Sequence, residues 1–209
     1  MKRFILTIVS LLIVFLLASG GWYLYKKNSK APAVKPLPSA TLMRKLGSKG
    51  TILQTFAKAN NFNTELCFMI DMKIESGKNR FFIYDMKKDS VLDASLVTHG
   101  RCNETWLKGR KYGNEAGCGC TSLGKYKIGN PYHGRFGLAY KLHGLDATNS
   151  NAFKRYVVLH SHECVPNNEV APYPICQSDG CPTVSADFLK KLAGIIDKSS
   201  KPILLYIYE

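Results

Sequence analysis

The chain has 209 residues, 45% of them hydrophobic and 21% charged, which excludes a disordered protein and is enough for one folded domain of ordinary size. Its net charge of +14 does not by itself indicate nucleic-acid binding, because residues 1–50 hold nine Lys and Arg and no acidic residue, whereas residues 51–209 carry only +5. Basic and aromatic residues also do not alternate as they do in single-strand binders. We therefore expect no nucleic-acid partner, and a basic N-terminal part that suits an anionic membrane or cell-wall surface.

The N-terminus carries a candidate membrane segment. Residues 4–25 form an apolar run between two pairs of basic residues, and about 20 apolar residues span a bilayer. Trp22, Tyr23 and Tyr25 near its end are typical of a membrane interface. A cleaved signal peptide, with small residues near position 20, is the alternative. In both cases residues 1–27 are a membrane anchor or signal segment, and the rest of the chain is exported to the periplasmic or extracellular face of the cell envelope.

The remaining chain divides into a linker and a folded domain. Residues 28–50 are rich in Pro, Ser, Gly and Lys, a composition that predicts a flexible linker. The domain is expected over residues 51–209, with a short helix at 51–60 and a Gly- and Cys-rich loop at 99–122. Runs of β-branched and aromatic residues bounded by turn residues predict the strands. They lie at 64–75, 79–86, 91–98, 124–129, 136–143, 156–161 and 202–208.

One amphipathic helix is predicted near the C-terminus. Ser185 can cap it, and Asp187 lies in its first turn, where a negative charge is favourable. Its apolar face consists of Phe188, Leu189, Leu192, Ile195 and Ile196. The sequence therefore indicates a mainly β domain with one C-terminal amphipathic helix packed on it.

The chain has seven cysteines, and this odd number limits how they can pair as disulfides in an exported protein. They are Cys67, Cys102, Cys118, Cys120, Cys164, Cys176 and Cys181. Most thiols of an exported protein are paired, and an odd number leaves at least one free in a monomer. Cys164 and Cys176 bracket a proline-containing loop and are expected to pair. Cys118 and Cys120 are too close to pair with each other, so each would take Cys67 or Cys102, which leaves Cys181 as the free thiol.

A histidine and a cysteine form the candidate catalytic pair. His160-Ser161 ends a predicted strand, and Ser178-Asp179-Gly180-Cys181-Pro182 follows further along the chain. A cysteine attacks an amide only when a base takes its proton and donors stabilise the oxyanion. Gly180 allows close approach of the backbone, and Pro182 has no N–H, so the oxyanion donors must come from residues 179–181. We therefore expect Cys181 as nucleophile and His160 as its base.

These residues resemble the signature of bacterial L,D-transpeptidases of the YkuD fold. The usual motif is Ser/Thr-His/Arg-Gly-Cys, and the Thr-Ser-Leu-Gly-Lys-Tyr-Lys-Ile run at 121–128 is similar to the strand that opens the family's core. The Gly-Cys-Pro-Thr-Val ending at 180–184 and the stretch at 134–145 are similar to the branch called murein L,D-transpeptidase catalytic domain-like. The resemblance covers residues 64–209. It implies a YkuD-like β-sandwich or barrel, preceded here by the N-terminal transmembrane helix.

The resemblance also implies a role for each site residue. Cys181 would be the acylated nucleophile, His160 the base, and Ser161 the group that orients it. The amides of Gly180 and Cys181 would bind the oxyanion, and Ser178 would line the site. The substrate would be peptidoglycan stem peptides, with a cross-link or a carboxypeptidase reaction as the outcome, and no metal or organic cofactor is needed.

Two positions depart from the family pattern. Asp179 stands where the family has His or Arg, and its negative charge should raise the pKa of the Cys181 thiol. Thr183 stands where the family has Arg or Asn, so a contact to a substrate carboxylate would have to come from elsewhere. The basic candidates, which the sequence does not rank, are Arg101, Lys125, Arg135 and Lys141.

Two alternatives to this enzyme stay open. A catalytically impaired module of the same fold would bind anionic wall polymer through its basic face. A zinc-dependent hydrolase could be built on His160, His162 and Cys164, since imidazole and thiolate are zinc ligands. The oligomeric state is also open.

Overall fold

The structure is a computed structural model that describes residues 15–17, 19–22 and 39–209. The chain forms two units, residues 1–38 and residues 39–209, and the described residues of the first are helical. No helix among the described residues is both long and apolar enough to cross a bilayer. Most of the predicted anchor at 1–27, and the first part of the predicted linker up to residue 38, lie outside the described residues.

The second unit is built on one eight-stranded sheet with the strand order β3-β2-β1-β8-β4-β5-β6-β7. Two strand pairs, β1 with β8 and β6 with β7, are parallel, and the others are antiparallel. In chain order the elements are α1 (Ala40–Ala59), β1 (Leu66–Asp71), β2 (Phe81–Asp85), β3 (Ser90–Ser95), β4 (Gly124–Gly134), β5 (Gly137–Gly144), a 3-10 turn (Ala147–Asn149), β6 (Val158–Ser161), β7 (Thr183–Val184), α2 (Ala186–Ile196) and β8 (Leu204–Tyr208).

Helices cover both faces of the sheet, and the strands supply an apolar side chain to each. Because successive side chains of a strand point to opposite faces, Phe68 and Ile70 of β1 join the core that contains α2, whereas Cys67 and Met69 join the core that contains α1. The β1 strand is buried throughout except at its first residue, which is only partly buried. A strand covered on both faces is apolar at nearly every position, and in β1 only the last residue, Asp71, is charged, where it pairs with Lys45 of α1.

The two edges of the sheet meet at Thr98 and Thr183. The chain leaving β3 reaches Thr98, whose amide donates to the carbonyl of Thr183 in β7 at 3.0 Å, and the Thr183 amide donates back to Thr98 Oγ1 at 3.1 Å. The predicted mainly β fold with a C-terminal helix is confirmed, and its sandwich or barrel character takes the form of a single sheet whose edges come together. This junction lies directly beside Cys181.

Helix α2 has the ends that its sequence predicts. The Ser185 side chain accepts a hydrogen bond from the Phe188 amide, Asp187 lies in the first turn, and Phe188, Leu189 and Leu192 are buried. All seven predicted strands are present, with bounds that differ by a few residues. The short strand β7 is additional, because its two residues carry no periodic signal.

Helix α1 corrects the expected domain boundary. It begins at Ala40, capped by Ser39, so residues 40–50 are not a flexible linker and the folded unit does not begin at residue 51. Leu46 and Gly50 are buried against the sheet, and a Cβ at Gly50 would lie 2.6 Å from the Tyr84 ring. The glycines and lysines that suggest a linker are here contact points of a helix, since Lys45 pairs with the buried Asp71 at 2.7 Å and Lys49 lies over the Tyr208 ring.

Truncation of Leu46 should destabilise the protein, because this side chain is fully buried in the part of α1 that the sequence assigns to a linker. We expect Leu46→Ala to lower the free energy of unfolding by about 2–4 kcal/mol, as measured by urea denaturation. Ile52→Ala is the matched control on the same helix, since Ile52 is 61% exposed and should change stability little. Equal effects of the two substitutions would show that residues 40–50 do not pack on the domain.

Candidate active site

The parallel pair β6–β7 brings the histidine and the cysteine into one cavity. His160 in β6 is paired in register with Thr183, the first residue of β7. Cys181 lies two residues before Thr183, just outside this short strand. Both side chains line a cavity of about 440 Å³, together with Ser178 and Asp179. Ser161 and Gly180 are not among the lining residues of the cavity. The structure therefore brings four of the six predicted site residues into one cleft, and the other two are their neighbours along the chain.

The turn that presents Cys181 is held by several hydrogen bonds. The Cys181 carbonyl accepts from Ser178 Oγ at 2.7 Å and from Thr98 Oγ1 at 3.1 Å. Gly180 has a φ of 108°, and a Cβ there would lie 2.6 Å from the Cys120 carbonyl oxygen. Glycine is therefore required at this position both for its backbone conformation and for space.

The Cys181 sulfur is a free, half-buried thiol. It lies 3.5 Å from the Val158 amide and 3.8 Å from the carbonyl oxygen of Tyr156, a residue held at a φ of 57°. Burial raises the pKa of the thiol, the Val158 amide and the Arg155 charge lower it, and the Asp179 charge raises it again. Since burial is the largest of these effects, the group at rest is a thiol rather than a thiolate.

His160 is buried and held in one tautomer. Its Nδ1 lies 3.0 Å from the Ser161 carbonyl oxygen, which only accepts, so Nδ1 carries the proton in the neutral ring. Its Nε2 then has a free electron pair, which lies 3.1 Å from Thr183 Oγ1. Burial lowers the pKa of His160, the Ser161 carbonyl raises it and His162 lowers it further. The Phe136 ring stacks on the imidazole with centroids 4.5 Å apart.

Thr183 separates the base from the nucleophile in the resting structure. Within residues 39–209, His160 Nε2 bonds to the Thr183 hydroxyl, and the Cys181 sulfur bonds to backbone groups of β6 and the residues before it. Sequence reasoning noted Thr183 only as a missing cation and did not find this contact. The contacts of Phe136 and Thr98 were also missed, since only the folded hairpin and the sheet closure bring these residues here.

Asp179, near the Cys181 thiol, forms an ion pair with Arg101. Its carboxylate accepts from Arg101 Nε at 2.7 Å, and Arg101 lines the same cavity. Lys125, in contrast, pairs with Asp146 at 2.7 Å, away from this cavity. Arg101 is therefore the one of the four basic candidates that reaches the cleft, and it partly offsets the negative charge that Asp179 introduces.

Two disulfides form, one of them between the predicted partners Cys164 and Cys176. The other joins Cys102 to Cys120. The free thiols are Cys67, Cys118 and Cys181, so the expectation that Cys67 and Cys118 would also be bonded is wrong. Cys67 is buried between the sheet and α1, and Cys118 instead accepts a hydrogen bond from the Cys120 amide at 3.3 Å.

The zinc alternative loses a ligand in this arrangement. Cys164 is tied to Cys176 and so offers no thiolate to a metal. Across the part of the chain that the structure describes, three or more His, Cys, Asp or Glu side chains are nowhere grouped to hold a metal ion. The pair of His160 and His162 therefore has no third partner of the kind that this alternative requires.

The sequence model of the L,D-transpeptidase catalytic domain matches residues 41–208. The matched region begins within the first turn of α1 and ends in β8, so it covers the whole folded unit. No curated protein matches the chain.

Solved structures with a similar fold include three from different bacteria. The helical cell shape determining protein Pgp2 of Campylobacter jejuni is 13% identical with a TM-score of 0.44, and the match covers 80% of this chain and 55% of that one. An L,D-transpeptidase of Mycobacterium smegmatis is 14% identical with a TM-score of 0.41, covering 69% and 59%. An L,D-transpeptidase of Stackebrandtia nassauensis is 11% identical with a TM-score of 0.40, covering 69% and 56%. The chain thus matches little more than half the length of these proteins.

Replacing Asp179 by Asn should lower the pKa of the Cys181 thiol, because a charge that raises it is removed while the burial stays. Alkylation by iodoacetamide follows the thiolate, so its pH midpoint should move down and its rate at neutral pH should rise. Mass spectrometry of the peptide that contains Cys181 gives the rate at each pH.

Two further variants control this measurement. Glu65→Gln removes a carboxylate that pairs with Lys87 at the turn between β2 and β3, and it should leave the midpoint unchanged. Cys181→Ala gives the background from the other partly exposed thiol, Cys118. A midpoint that rises in Asp179→Asn, or moves equally in Glu65→Gln, would contradict the electrostatic effect of Asp179.

Proposed function

The chain belongs to the family of L,D-transpeptidase catalytic domains, and we propose that it is a peptidoglycan L,D-transpeptidase that works through a thioester on Cys181. One observation carries the proposal: a free thiol just before β7 and a neutral imidazole in its parallel neighbour β6 line the same cleft. The cleft offers both an attacking sulfur and an acceptor for its proton.

The reaction follows from these two groups. The Cys181 sulfur attacks the carbonyl carbon of the amide between an L- and a D-centre of a stem peptide, and its proton goes to His160 Nε2. The C–N bond then breaks, the leaving amine takes that proton, and a thioester remains. An amine of a second stem attacks the thioester and gives up a proton to His160, which forms the cross-link and restores the thiol. Water in place of this amine gives the carboxypeptidase reaction.

The Thr183 hydroxyl has to release His160 Nε2 before the first proton transfer. In the resting structure its hydroxyl occupies His160 Nε2, so this hydrogen bond must be exchanged for one from the Cys181 thiol. His160, Cys181 and Thr183 line the same cleft, so the exchange needs rotation of side chains rather than movement of strands. Bonds of this kind often form only once substrate is bound.

The oxyanion would be bound by amides of the turn that holds Cys181. Pro182 offers no N–H, and the Gly180 amide already donates to Ser178 Oγ at 3.2 Å. We assign the oxyanion to the amides of Cys181 and Gly180, with the Ser178 hydroxyl released when the oxyanion forms. Ser161 keeps the imidazole in the tautomer that accepts at Nε2.

An impaired cell-wall-binding module is the second candidate. It is favoured by the raised pKa of the Cys181 thiol, which keeps the nucleophile protonated at neutral pH. The two candidates differ in whether Cys181 becomes acylated by a stem peptide.

Acylation should occur on Cys181. With a tetrapeptide stem or a carbapenem, intact-mass spectrometry of the reduced protein should show one adduct, and Cys181→Ala should abolish it. His160→Gln should slow its formation about 10²- to 10⁴-fold, the usual contribution of a general base.

Cys118→Ala is the matched control, because Cys118 is a second partly exposed free thiol outside the cleft. It should form the adduct at the wild-type rate. An adduct that persists in Cys181→Ala, or an absence of acylation in the wild type, would favour the binding module.

We further propose that the enzyme is held at the outer face of the cell membrane by residues 4–25, facing the peptidoglycan. Their apolar length, the flanking lysines and the basic character of the first 50 residues support this. The full-length protein should therefore remain with membranes after a carbonate wash and keep the mass of the uncleaved chain. Release of a shorter form would indicate a cleaved signal peptide instead.

A further inference from the structure

A second cavity adjoins the active-site cleft. It has a volume of about 360 Å³ and shares Trp106 and Gln177 with the cleft. Gln177 forms two hydrogen bonds with the backbone of Leu107, one to its carbonyl and one from its amide, each 2.8 Å long. This pair of bonds fixes the orientation of the Gln177 amide. The dividing wall is therefore a defined structure with Cys181 on one side and the second cavity on the other.

The floor of this cavity holds a buried arginine that forms no ion pair among residues 39–209. Arg80 is fully buried and donates to the Val97 carbonyl at 2.9 and 2.7 Å and to the Ile74 carbonyl at 3.2 Å. Within residues 39–209, neither Arg80 nor Arg110 forms an ion pair. A buried charge with no partner of opposite sign is costly. Arg110 has an unsatisfied donor as well, because its buried Nε has no hydrogen-bond partner.

In the same cavity, His99 and Gln177 face each other with one hydrogen-bond donor each. Arg80 Nη2 lies 3.1 Å from His99 Nδ1, and since a guanidinium only donates, Nδ1 accepts and the ring proton is on Nε2. That Nε2 faces the NH₂ group of Gln177 at 3.3 Å. His99 is only 7% exposed and lines the cavity, so its Nε2–H is a buried donor that faces a second donor instead of an acceptor.

The charges around the cavity are mostly positive. Arg80, Arg110 and Lys108 line it, and its single acidic residue, Glu75, is paired with Lys78 at 3.2 Å. Burial and the neighbouring Arg110 lower the pKa of Arg80 to about 10, and burial and both arginines lower the pKa of His99 to about 4. The Asp71 carboxylate and Tyr112 raise the pKa of Arg80 again, but by less than burial and Arg110 lower it, so the positive charges dominate around the cavity.

We propose that the second cavity binds a carboxylate of the stem peptide whose scissile amide lies at Cys181. One carboxylate oxygen accepts from His99 and Gln177 and the other from Arg110, which satisfies the three unpaired donors and supplies the missing counter-charge. The inference rests on the proposed function for the identity of the ligand. The cavity adjoins the cleft, so one peptide can occupy both.

Peptide binding by the full-length Cys181→Ala protein tests this without turnover. The probes are a synthetic tetrapeptide stem with free carboxylates and two analogues, amidated at the C-terminus and at the side-chain carboxylate respectively. Isothermal titration calorimetry should show one analogue binding about tenfold more weakly than the free acid, as expected for one lost charge-assisted contact. Equal affinity for all three peptides, or no binding of the free acid, would overturn the proposal.

Arg110→Gln should remove the discrimination between the free acid and that analogue, and Arg110→Lys should restore part of it. Arg44→Gln makes the same change of charge on α1, at an exposed position outside the cavity, and should keep the discrimination. Equal losses in Arg110→Gln and Arg44→Gln would show non-specific attraction and refute the site.

A kinetic measurement separates this proposal from the proposed function. In an enzyme with Cys181 intact, Arg110→Gln should raise KM about tenfold and leave kcat unchanged, since the contact is made equally in the ground and transition states. If Cys181 is never acylated but the calorimetric discrimination holds, the proposed function fails and the carboxylate site stands. If acylation is normal and discrimination is absent, only the site fails.

Discussion

The parallel pairing of β6 with β7 is the constraint on which the site depends. It sets His160 opposite Thr183 and so fixes where Cys181 emerges from the sheet. Parallel strands need a long connection, and here residues 162–182 supply it without a helix. The same two-residue strand also exchanges two hydrogen bonds with Thr98, one in each direction. The contact that closes the sheet therefore also helps to position the nucleophile.

The two reactive groups of the site, Cys181 and His160, are neutral, and charged side chains lie around them. Burial favours the thiol form of Cys181 and the uncharged imidazole of His160. Arg101 pairs with Asp179 at the mouth of the cleft, whereas Arg80 and Arg110 lie unpaired beyond the Gln177 wall. The molecule thus separates a cavity suited to proton transfer from one suited to an anion, and a single peptide of mixed character could match both.

Much of this architecture could be predicted from local patterns. Seven strands, the cap of α2, the Cys164–Cys176 pair and the position of His160 and Cys181 in one cleft follow from periodicity and short motifs. The start of α1 could not, because Gly47 and Gly50 become contact points only once Asp89 and Tyr84 lie against them. The same holds for Thr183 on His160 and for the second cavity. These depend on contacts between distant segments, which no single stretch of sequence reports.

The Cys164–Cys176 disulfide bridges the connection between the two strands that carry base and nucleophile. By the chain-entropy estimate, a closed loop of this size contributes about 3 kcal/mol to stability. Cytosolic thiols stay reduced, so a chain still inside the cell lacks this clasp and holds β6 against β7 less firmly. In the exported enzyme that we propose, this loop would therefore close only after export, which would make its oxidation a maturation step.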